Sequence, residues 1–493
     1  MSKMCNTIQE KENAYLTVYL ALVFGIVLSL LLALIEGAAI GALRAQAELI
    51  ADLGIDSVFA EYNREILNQY ELFFIDSSYG SINGGIGIVE QHLSDYMEYN
   101  MNPEKELPML GEKTFLKLEN PYIEIEEASF ASDGNGIVWK AQAIAYMKAV
   151  YGGDLVSTIK EQIDTVQSNT LDTYDVEAEI AQQKKAFEEA LSSNNIIEYS
   201  TESSEGYSYQ KVSGLFDTVV GEGLLMLVIP KEKSVSGAVA GNVNYFSGRM
   251  KNGKVNQGTG LHDGADKLEG IVDELIYGEY LMKVCGNYAN PKDNALLQYQ
   301  IEYILYGKDS DTANLKAFVE RLFAVRAAAN AISIAKDSTR KQEAGIIATA
   351  ICTLLFVPEL TDTLKTLILG IWTLAEAVSD VSQLLDGGKV PLIKDSSEWN
   401  TSFIELLSGN WSKSGKGTEG LSYQDYLRIF LGLMDKNKKV IRSLDIVEMD
   451  IRQTAGNEDF RIDRCIDYMK VNFGFADASR HDFVFSRRKC YCQ

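Results

Sequence analysis

The sequence contains three histidines, the residue type most often used for proton transfer near neutral pH. They are His92, His262 and His481, and they lie far apart along the chain. None belongs to a metal-binding or nucleophile signature, and no G-x-S-x-G motif marks a reactive serine. A Ser–His–Asp site would have to assemble through the fold. We therefore predict that each histidine is solvated or packed in a core, and that the chain is not an enzyme.

The sequence also offers little for phosphate or metal binding. The glycine-rich stretches VSGAVAGNVNYFSG and GTGLHDGADK lack the P-loop pattern and the strand–G-x-G-x-x-G–helix setting. The stretch from Asp309 resembles a calcium loop, but Ala313 stands at a liganding position and no closing Glu follows in register. We predict that Asp309 or Ser310 caps the next helix, that the similar stretch at Asp435 binds no calcium, and that the chain has no cofactor or metal site.

The six cysteines form no C-x-x-C pair and no metal-binding spacing. Apolar, helix-like surroundings predict buried free thiols at Cys285, Cys352 and Cys465, with a disulfide as the alternative. Cys490 and Cys492 lie two residues apart on a strand-like tail, so their side chains point the same way. We expect these two to be packed or exposed rather than bonded to each other.

Charged residues within apolar runs are the remaining candidates for chemistry. Arg326 and Glu376 each lie inside an apolar helical run. Because an isolated buried charge is costly to desolvate, we predict that the two pair with each other in a structural role. A second group has the i,i+3 and i,i+4 spacing of a charged helix face, and it comprises Arg442, Asp445, Glu448, Asp450 and Arg452.

An apolar segment at the N terminus decides whether the chain is attached to a membrane. Residues 14–35 carry no charge, and a helix of that length spans roughly 33 Å, about one hydrocarbon core. Tyr15 and Tyr19 lie where interfacial aromatic residues are expected. We predict an uncleaved transmembrane helix over 14–36, with the lipid bilayer as its partner. The alternatives are a buried core helix or a cleaved export signal, although a signal has a shorter apolar core and a basic start.

The flanking charges indicate an orientation. Lys3 and Lys11 precede the apolar run, whereas Arg44 is the only basic residue close behind it. By the positive-inside rule, residues 1–13 are cytoplasmic and the bulk of the chain is extracytoplasmic. The apolar spacing continues beyond Glu36, so we predict an amphipathic stem helix over 37–78 that ends at a turn cluster near Gly80.

Two resemblances concern this N-terminal part. The short polar start, the string YLTVYLALVFGIVLSLLLALIEGA and the stem together resemble the N termini of TadE- and TadG-type proteins of the tight-adherence pilus system. The longer string LRAQAELIADLGIDSVFAEYNREILNQYELFFIDSSYG is similar to an uncharacterised clostridial family of single-pass membrane proteins. Pilin-like subunits usually carry an acid about five residues into the apolar run, where this chain has Tyr19 and uncharged neighbours. The first resemblance therefore implies an accessory component that acts through protein contacts.

The rest of the chain predicts three further regions. Residues 79–234 read as a mixed α+β domain with a strand over Tyr122–Glu126, residues 235–264 as a glycine-rich loop or linker, and residues 265–493 as a mostly helical domain with C-terminal strands. The most apolar part, 344–377, predicts a buried helical hairpin, with a re-entrant membrane element as the alternative.

Composition completes the prediction. The formal net charge of −23 argues against a nucleic-acid partner, because phosphates must be met by Lys and Arg. We predict a predominantly helical α+β fold behind one transmembrane helix. The predicted function is a membrane-anchored extracytoplasmic structural or accessory protein, such as a pseudopilin-like component of a tight-adherence-type pilus or secretion system. Its predicted partners are other membrane or pilus assembly proteins. The alternative is a surface-bound hydrolase or a ligand-binding ectodomain.

Overall fold

The computed structural model describes the backbone of residues 2–82, 84–101, 117–151, 156–173, 175–194, 196, 201–203, 206–220, 224–230, 232–241, 244–261, 270–407, 417–477 and 481–491, with side chains from residue 15 onward except at 120 and 396. Helices predominate, and a small antiparallel sheet accompanies them, so the predicted α+β class is confirmed. The chain forms two compact units. Unit 1 comprises Met1–Gly134, Asn256–Gly264 and Asp459–Gln493, and unit 2 comprises Asn135–Val255 and Ala265–Glu458.

The α-helices are α1 (Ser2–Phe59), α2 (Arg64–Tyr70), α3 (Ile86–Met101), α4 (Asp133–Tyr151), α5 (Ser157–Ser168), α6 (Val176–Ser193), α7 (Tyr209–Val220), α8 (Leu224–Val228), α9 (Phe246–Lys251), α10 (Ile271–Val284), α11 (Gln300–Tyr306), α12 (Asp311–Ile334), α13 (Ser338–Leu354), α14 (Thr361–Leu385), α15 (Phe403–Leu407), α16 (Tyr423–Leu433) and α17 (Lys436–Ile451). The strands are β1 (Ile75–Asp76), β2 (Leu118–Phe130), β3 (Lys389–Val390), β4 (Leu421–Ser422), β5 (Cys465–Asp477) and β6 (Asp482–Cys490).

Unit 1 is built around strand β5, which pairs antiparallel with β2, with β6 and with the short β1. Alternate residues of β5, among them Met469, Val471 and Phe473, enter one hydrophobic core with buried residues of α1 and α3. This two-residue period is the one expected of a strand with a single core face. The predicted strands at 122–126 and at the C terminus are therefore present, but they belong to one sheet in unit 1.

The predicted stem helix over 37–78 is too long. Helix α1 ends at Phe59, and a separate helix starts behind Asn63, whose side chain accepts hydrogen bonds from the amides of Glu65 and Ile66. An N-cap of this kind requires extended backbone at the cap residue, so one continuous helix cannot pass through it. The apolar residues Ile66 and Tyr70 are buried as expected, but on α2.

Unit 2 contains the predicted hairpin at 344–377, formed by α13 and α14. Helix α14 belongs to the core, since 72% of its most apolar stretch is buried. The predicted loop at 235–264 is not one linker. Helix α9 lies within it, and Thr259 forms hydrogen bonds with Ala128 of β2, which places residues 256–261 in unit 1.

Candidate functional site

The exposed start of α1 is the most unusual surface of the described chain. Every residue from Tyr15 to Ala38 is exposed, and none of the most apolar 18-residue stretch is buried. By length and composition this helix can cross a membrane. The segment from Pro358 to Leu385 passes the same test, but it is mostly buried. The chain therefore has an N-terminal apolar helix suited to a membrane anchor or an export signal.

The same helix continues into the core of unit 1 without a break. Leu43, Ala47, Ile50 and Val58 are buried there at no more than 4% exposure. Gly54 allows α3 to approach closely, since a Cβ atom at this position would lie 3.2 Å from a methyl group of Leu93. Thus α1 is exposed at its start and packed at its end.

A charged row on α1 faces strand β6. The Arg487 guanidinium donates to Asp52 at 2.7 Å and to Glu48 at 3.2 Å, and the Lys489 ammonium contacts Asp56. These pairs are partly exposed, so each contributes little to stability on its own. Together they set which face of α1 turns toward β6.

Glu61, just beyond the end of α1, joins three side chains from elsewhere in unit 1. Its carboxylate accepts hydrogen bonds from the hydroxyls of Tyr79 at 2.7 Å and Tyr96 at 2.8 Å, and it lies 3.1 Å from Nδ1 of His92. The rings of Tyr79 and His92 stack with centroids 4.1 Å apart. Burial and the Glu61 carboxylate raise the pKa of Tyr79, so this hydroxyl stays protonated and acts as a donor.

Of the other two histidines, the structure describes only His481, and that residue has a different carboxylate partner from His92. His481 lies directly before β6, and its Nδ1 is 2.9 Å from Asp477 at the end of β5. The Asp477 carboxylate raises the pKa of His481. His262 lies outside the described residues. His92 and His481 therefore each have one carboxylate partner and lie on different elements.

A buried ion cluster in unit 2 corrects the predicted pairing of Arg326 with Glu376. Arg326 donates to Asp380 at 2.8 Å. The side chains of Arg326, Glu376 and Asp380 are all fully buried. The Lys394 ammonium contacts both Glu376 and Asp380. Arg326 and Glu376 thus belong to one cluster but reach it through different partners.

The remaining hydrogen-bonding capacity of this cluster is also used. Glu376 accepts from the amide and the hydroxyl of Thr401, at 2.9 and 2.7 Å. Arg326 also donates to the carbonyls of Pro391 and Leu392, each at 2.8 Å. A buried charge with every donor and acceptor satisfied is characteristic of a structural role. Sequence reasoning missed Asp380, although it lies four residues after Glu376 on the same apolar helix.

The charged face predicted on α17 is present, with Arg452 3.4 Å from Glu448 four residues earlier, but its acids lie in the interior. Asp445, Glu448 and Asp450 are buried, because they bind groups from distant parts of unit 2. Glu448 accepts two hydrogen bonds from Arg249, and Asp450 accepts from Lys292 at 2.8 Å.

Asp445 accepts from the hydroxyl of Tyr303 on α11 at 3.0 Å and from the amide of Ser247 at 2.7 Å. Burial raises the pKa of Asp445 to about 6. One residue earlier on α11, Glu302 accepts from the hydroxyl of Tyr423 at 2.6 Å and from the amide of Tyr288 at 2.9 Å. Burial raises the pKa of Glu302 to about 7 even though these hydrogen bonds lower it. Helix α11 therefore carries a polar layer through the core of unit 2.

The smaller predictions have mixed outcomes. Ser310 caps α12 by accepting from the amide of Ala313, and Asp435 caps α17. Free, buried thiols are present at Cys285, Cys352 and Cys465. Cys492 lies outside the described residues, so the expectation for Cys490 and Cys492 stays a prediction. Within the described ranges no three His, Cys, Asp or Glu side chains are arranged to hold a metal ion.

Comparison with known proteins gives one match. A family model described as a family of unknown function (DUF5702) matches residues 202–477, more than half of the chain. No curated protein and no solved structure matches. The matched segment ends with β5 and contains the ion cluster around Asp380 and the buried acids of α17, but it does not include α1.

Proposed function

The chain belongs to the DUF5702 family, whose function is unknown, and from that premise we propose that it is a membrane-anchored extracytoplasmic protein with a structural or accessory role. The observation that carries the proposal is the exposed apolar start of α1. Each large apolar side chain gains about 1.5–3 kcal/mol on leaving water. Over residues 15–35 the sum exceeds the stability of an ordinary domain, about 5–15 kcal/mol. A lipid bilayer offers that environment along the whole segment.

The anchor stays attached in this proposal. The A-x-A pattern at residues 45–47, where a signal peptidase would cut, lies inside α1. Ala47 is fully buried in the core of unit 1, and Leu43, about one helical turn before Ala47, is also buried there. Cleavage there would remove Leu43 from the core. Retention of the helix keeps both the core and the membrane attachment.

The orientation follows from the basic residues Lys3 and Lys11, which place the N terminus in the cytoplasm and the two units outside. Protease treatment of intact cells tests this orientation. We expect digestion of the units and protection of an epitope placed before residue 14. Protection of the whole chain in intact cells, with digestion only after lysis, would contradict the orientation.

The accessory role is supported by the helix that continues from the lipid-sized segment into unit 1, together with the resemblance of this region to TadE- and TadG-type proteins. Such a helix holds a folded unit at a fixed distance from the membrane, where the unit can contact other proteins. A deletion strain should assemble fewer or altered surface appendages, or secrete less protein. A deletion strain with normal appendages and normal secretion would exclude this role.

A surface hydrolase is the second candidate, because Glu61 orients His92 as a carboxylate orients a general base. Against this, the Glu61 carboxylate also accepts from two tyrosines, which favours a structural cluster. Zymography on cell-wall material separates the two. Clearing by the full-length protein that is lost in His92→Gln would favour the hydrolase.

A further inference from the structure

The part of α1 beyond the apolar segment has two apolar faces, and unit 1 covers one of them. The covered face includes Ala47 and Ile50. The other face, here called the seam, consists of Ala39, Ala42, Gln46, Leu49 and Leu53. Leu49 and Leu53 keep 58% and 44% of their surface exposed although they lie beside buried neighbours.

The seam has the spacing of a coiled coil. Its members follow one another at alternating steps of three and four residues, which is the a/d pattern of a heptad. The same steps continue backward into the apolar segment through Leu28, Leu32 and Ile35. A single stripe therefore runs along the helix from the lipid-sized segment to unit 1.

The charge distribution separates the seam from the rest of the surface. No seam residue is ionisable, in a chain whose net charge is −23. The charged row of Arg44, Glu48 and Asp52 lies on another flank of α1, where Arg487 binds two of its members. A second copy can therefore approach the seam without bringing like charges into contact.

We propose that the seam pairs with the seam of a second copy of this chain, as a parallel two-helix coiled coil that begins in the bilayer. This inference rests on the proposed function, because an anchor in the same bilayer holds two copies parallel and at the same depth. At equal depth Gln46 lies opposite Gln46 of the second copy.

Gln46 is the reason to favour a second copy over an unrelated apolar helix. Its amide both donates and accepts, so two such amides satisfy each other. A purely apolar partner would bury the amide without a hydrogen bond, at a cost of about 1–3 kcal/mol. A polar residue at one a position also fixes the register of a coiled coil. The small side chains of Ala39 and Ala42 allow the two helices to approach closely near the membrane.

Disulfide cross-linking of the full-length protein in its own membranes tests the seam. Cys5, Cys490 and Cys492 are first replaced by Ser, and Leu49→Cys or Leu53→Cys is then introduced. The matched control is Arg44→Cys, which is exposed on the same helix but on the charged flank. We expect a covalent dimer in most of the molecules at each seam position under mild oxidation, and at least tenfold less at the control.

Three results with these cysteine variants would contradict pairing through the seam. They are monomers at both seam positions in membrane-bound protein, equal cross-linking at the control, and cross-linking of the seam to a different protein only. Adding Leu49→Glu to the Leu53→Cys variant should abolish the dimer by opposing two buried acids, and an unchanged yield would also contradict the proposal. Alkaline extraction in parallel distinguishes failure of the seam from failure of the membrane anchor. Monomers in the membrane pellet refute only the seam. Protein released into the supernatant refutes the anchor and the seam with it.

Discussion

The Arg487 guanidinium donates to the Asp52 carboxylate with Nε and Oδ1 2.7 Å apart, and this contact joins the last strand of the chain to the helix that carries the apolar segment. The two residues are separated by 435 positions in sequence. The N-terminal and C-terminal parts of the chain form one unit through the pairing of β2 with β5 and a shared hydrophobic core, and this contact is one further link between them. The order of elements in unit 1 is therefore set by sheet pairing and helix docking between the two ends.

Replacing Arg487 by Gln should have a small effect. Both partners are partly exposed, so we expect a loss of at most about 1 kcal/mol in the free energy of unfolding of unit 1. Hydrogen exchange of the β5 and β6 amides measures this loss, which should shrink in 1 M salt. Arg488→Gln, on the opposite and exposed face of β6, serves as the control. A loss that is independent of salt, or equal in the control, would show that the ion pair is not its cause.

Replacing Gly54 should disturb the packing of α1 against α3. A Cβ atom there would lie 3.2 Å from Leu93 and 3.3 Å from Met97, so Gly54→Val overfills the contact. We expect a destabilisation of about 1–3 kcal/mol. Gly41→Val is the matched control, because a Cβ atom at Gly41 meets nothing within 4 Å. Equal stability of the two variants, measured by hydrogen exchange of α3, would contradict the close approach.

Replacing Asp380 by Asn should destabilise unit 2 strongly. The substitution keeps the shape of the side chain but leaves the buried charges of Arg326 and Lys394 without their shared partner. We expect a loss of about 3–5 kcal/mol. The tryptophans that the structure describes, Trp139, Trp372 and Trp399, lie in unit 2, so tryptophan fluorescence in denaturant follows this unit.

The control for Asp380→Asn is Glu359→Gln, which removes an exposed carboxylate from the same hairpin. This variant should unfold at the same denaturant concentration as the unmodified protein. If Asp380→Asn costs less than about 1 kcal/mol, the cluster is not the tightly satisfied network that its geometry indicates.

The stability of unit 2 should fall as the pH rises from about 4.5 to 7. Burial raises the pKa of Glu302 from 4.5 to about 7, so the folded state holds this proton more tightly than the unfolded state does. The resulting stabilisation is complete below the unfolded pKa and is lost as the pH passes the folded pKa. Asp445, with its pKa raised to about 6, acts in the same direction.

Glu302→Gln isolates this effect. The amide oxygen can still accept from Tyr423 and from the amide of Tyr288, but the group no longer titrates. Unfolding midpoints at pH 5 and pH 8 should therefore differ less in the variant than in the unmodified protein. An unchanged difference would mean that Glu302 titrates with an ordinary pKa.

Local signals in the sequence predicted the elements well. The uncharged run at 14–35 predicted the exposed helix, and alternation predicted the strand around Tyr122. The cap at Ser310 was predicted because a cap is a contact within three residues. Such features depend on neighbours in sequence, so a pattern is enough to find them.

Contacts between distant residues were not predictable in the same way. The acids of α17 have the spacing of a charged helix face, and partners such as Arg249 and Lys292 make that face part of the interior. Those partners lie more than 150 positions away. The meeting of Glu61 with His92 and the division of Lys394 between Glu376 and Asp380 depend on the same kind of long-range packing. Periodicity identifies a face of a helix, but not what covers it.

The central claim is that residues 15–35 hold the protein in a bilayer. Membranes from cells that make the full-length protein are washed with alkaline carbonate, and the pellet and supernatant are compared by immunoblot and intact mass. We predict full-length protein in the pellet, and a shift to the supernatant when Leu28→Arg and Leu31→Arg place two charges mid-segment, each costing about 2.5–3.5 kcal/mol on insertion. Full-length, unmodified protein recovered in the supernatant, or a mature product that lacks residues 1–47, would contradict the claim.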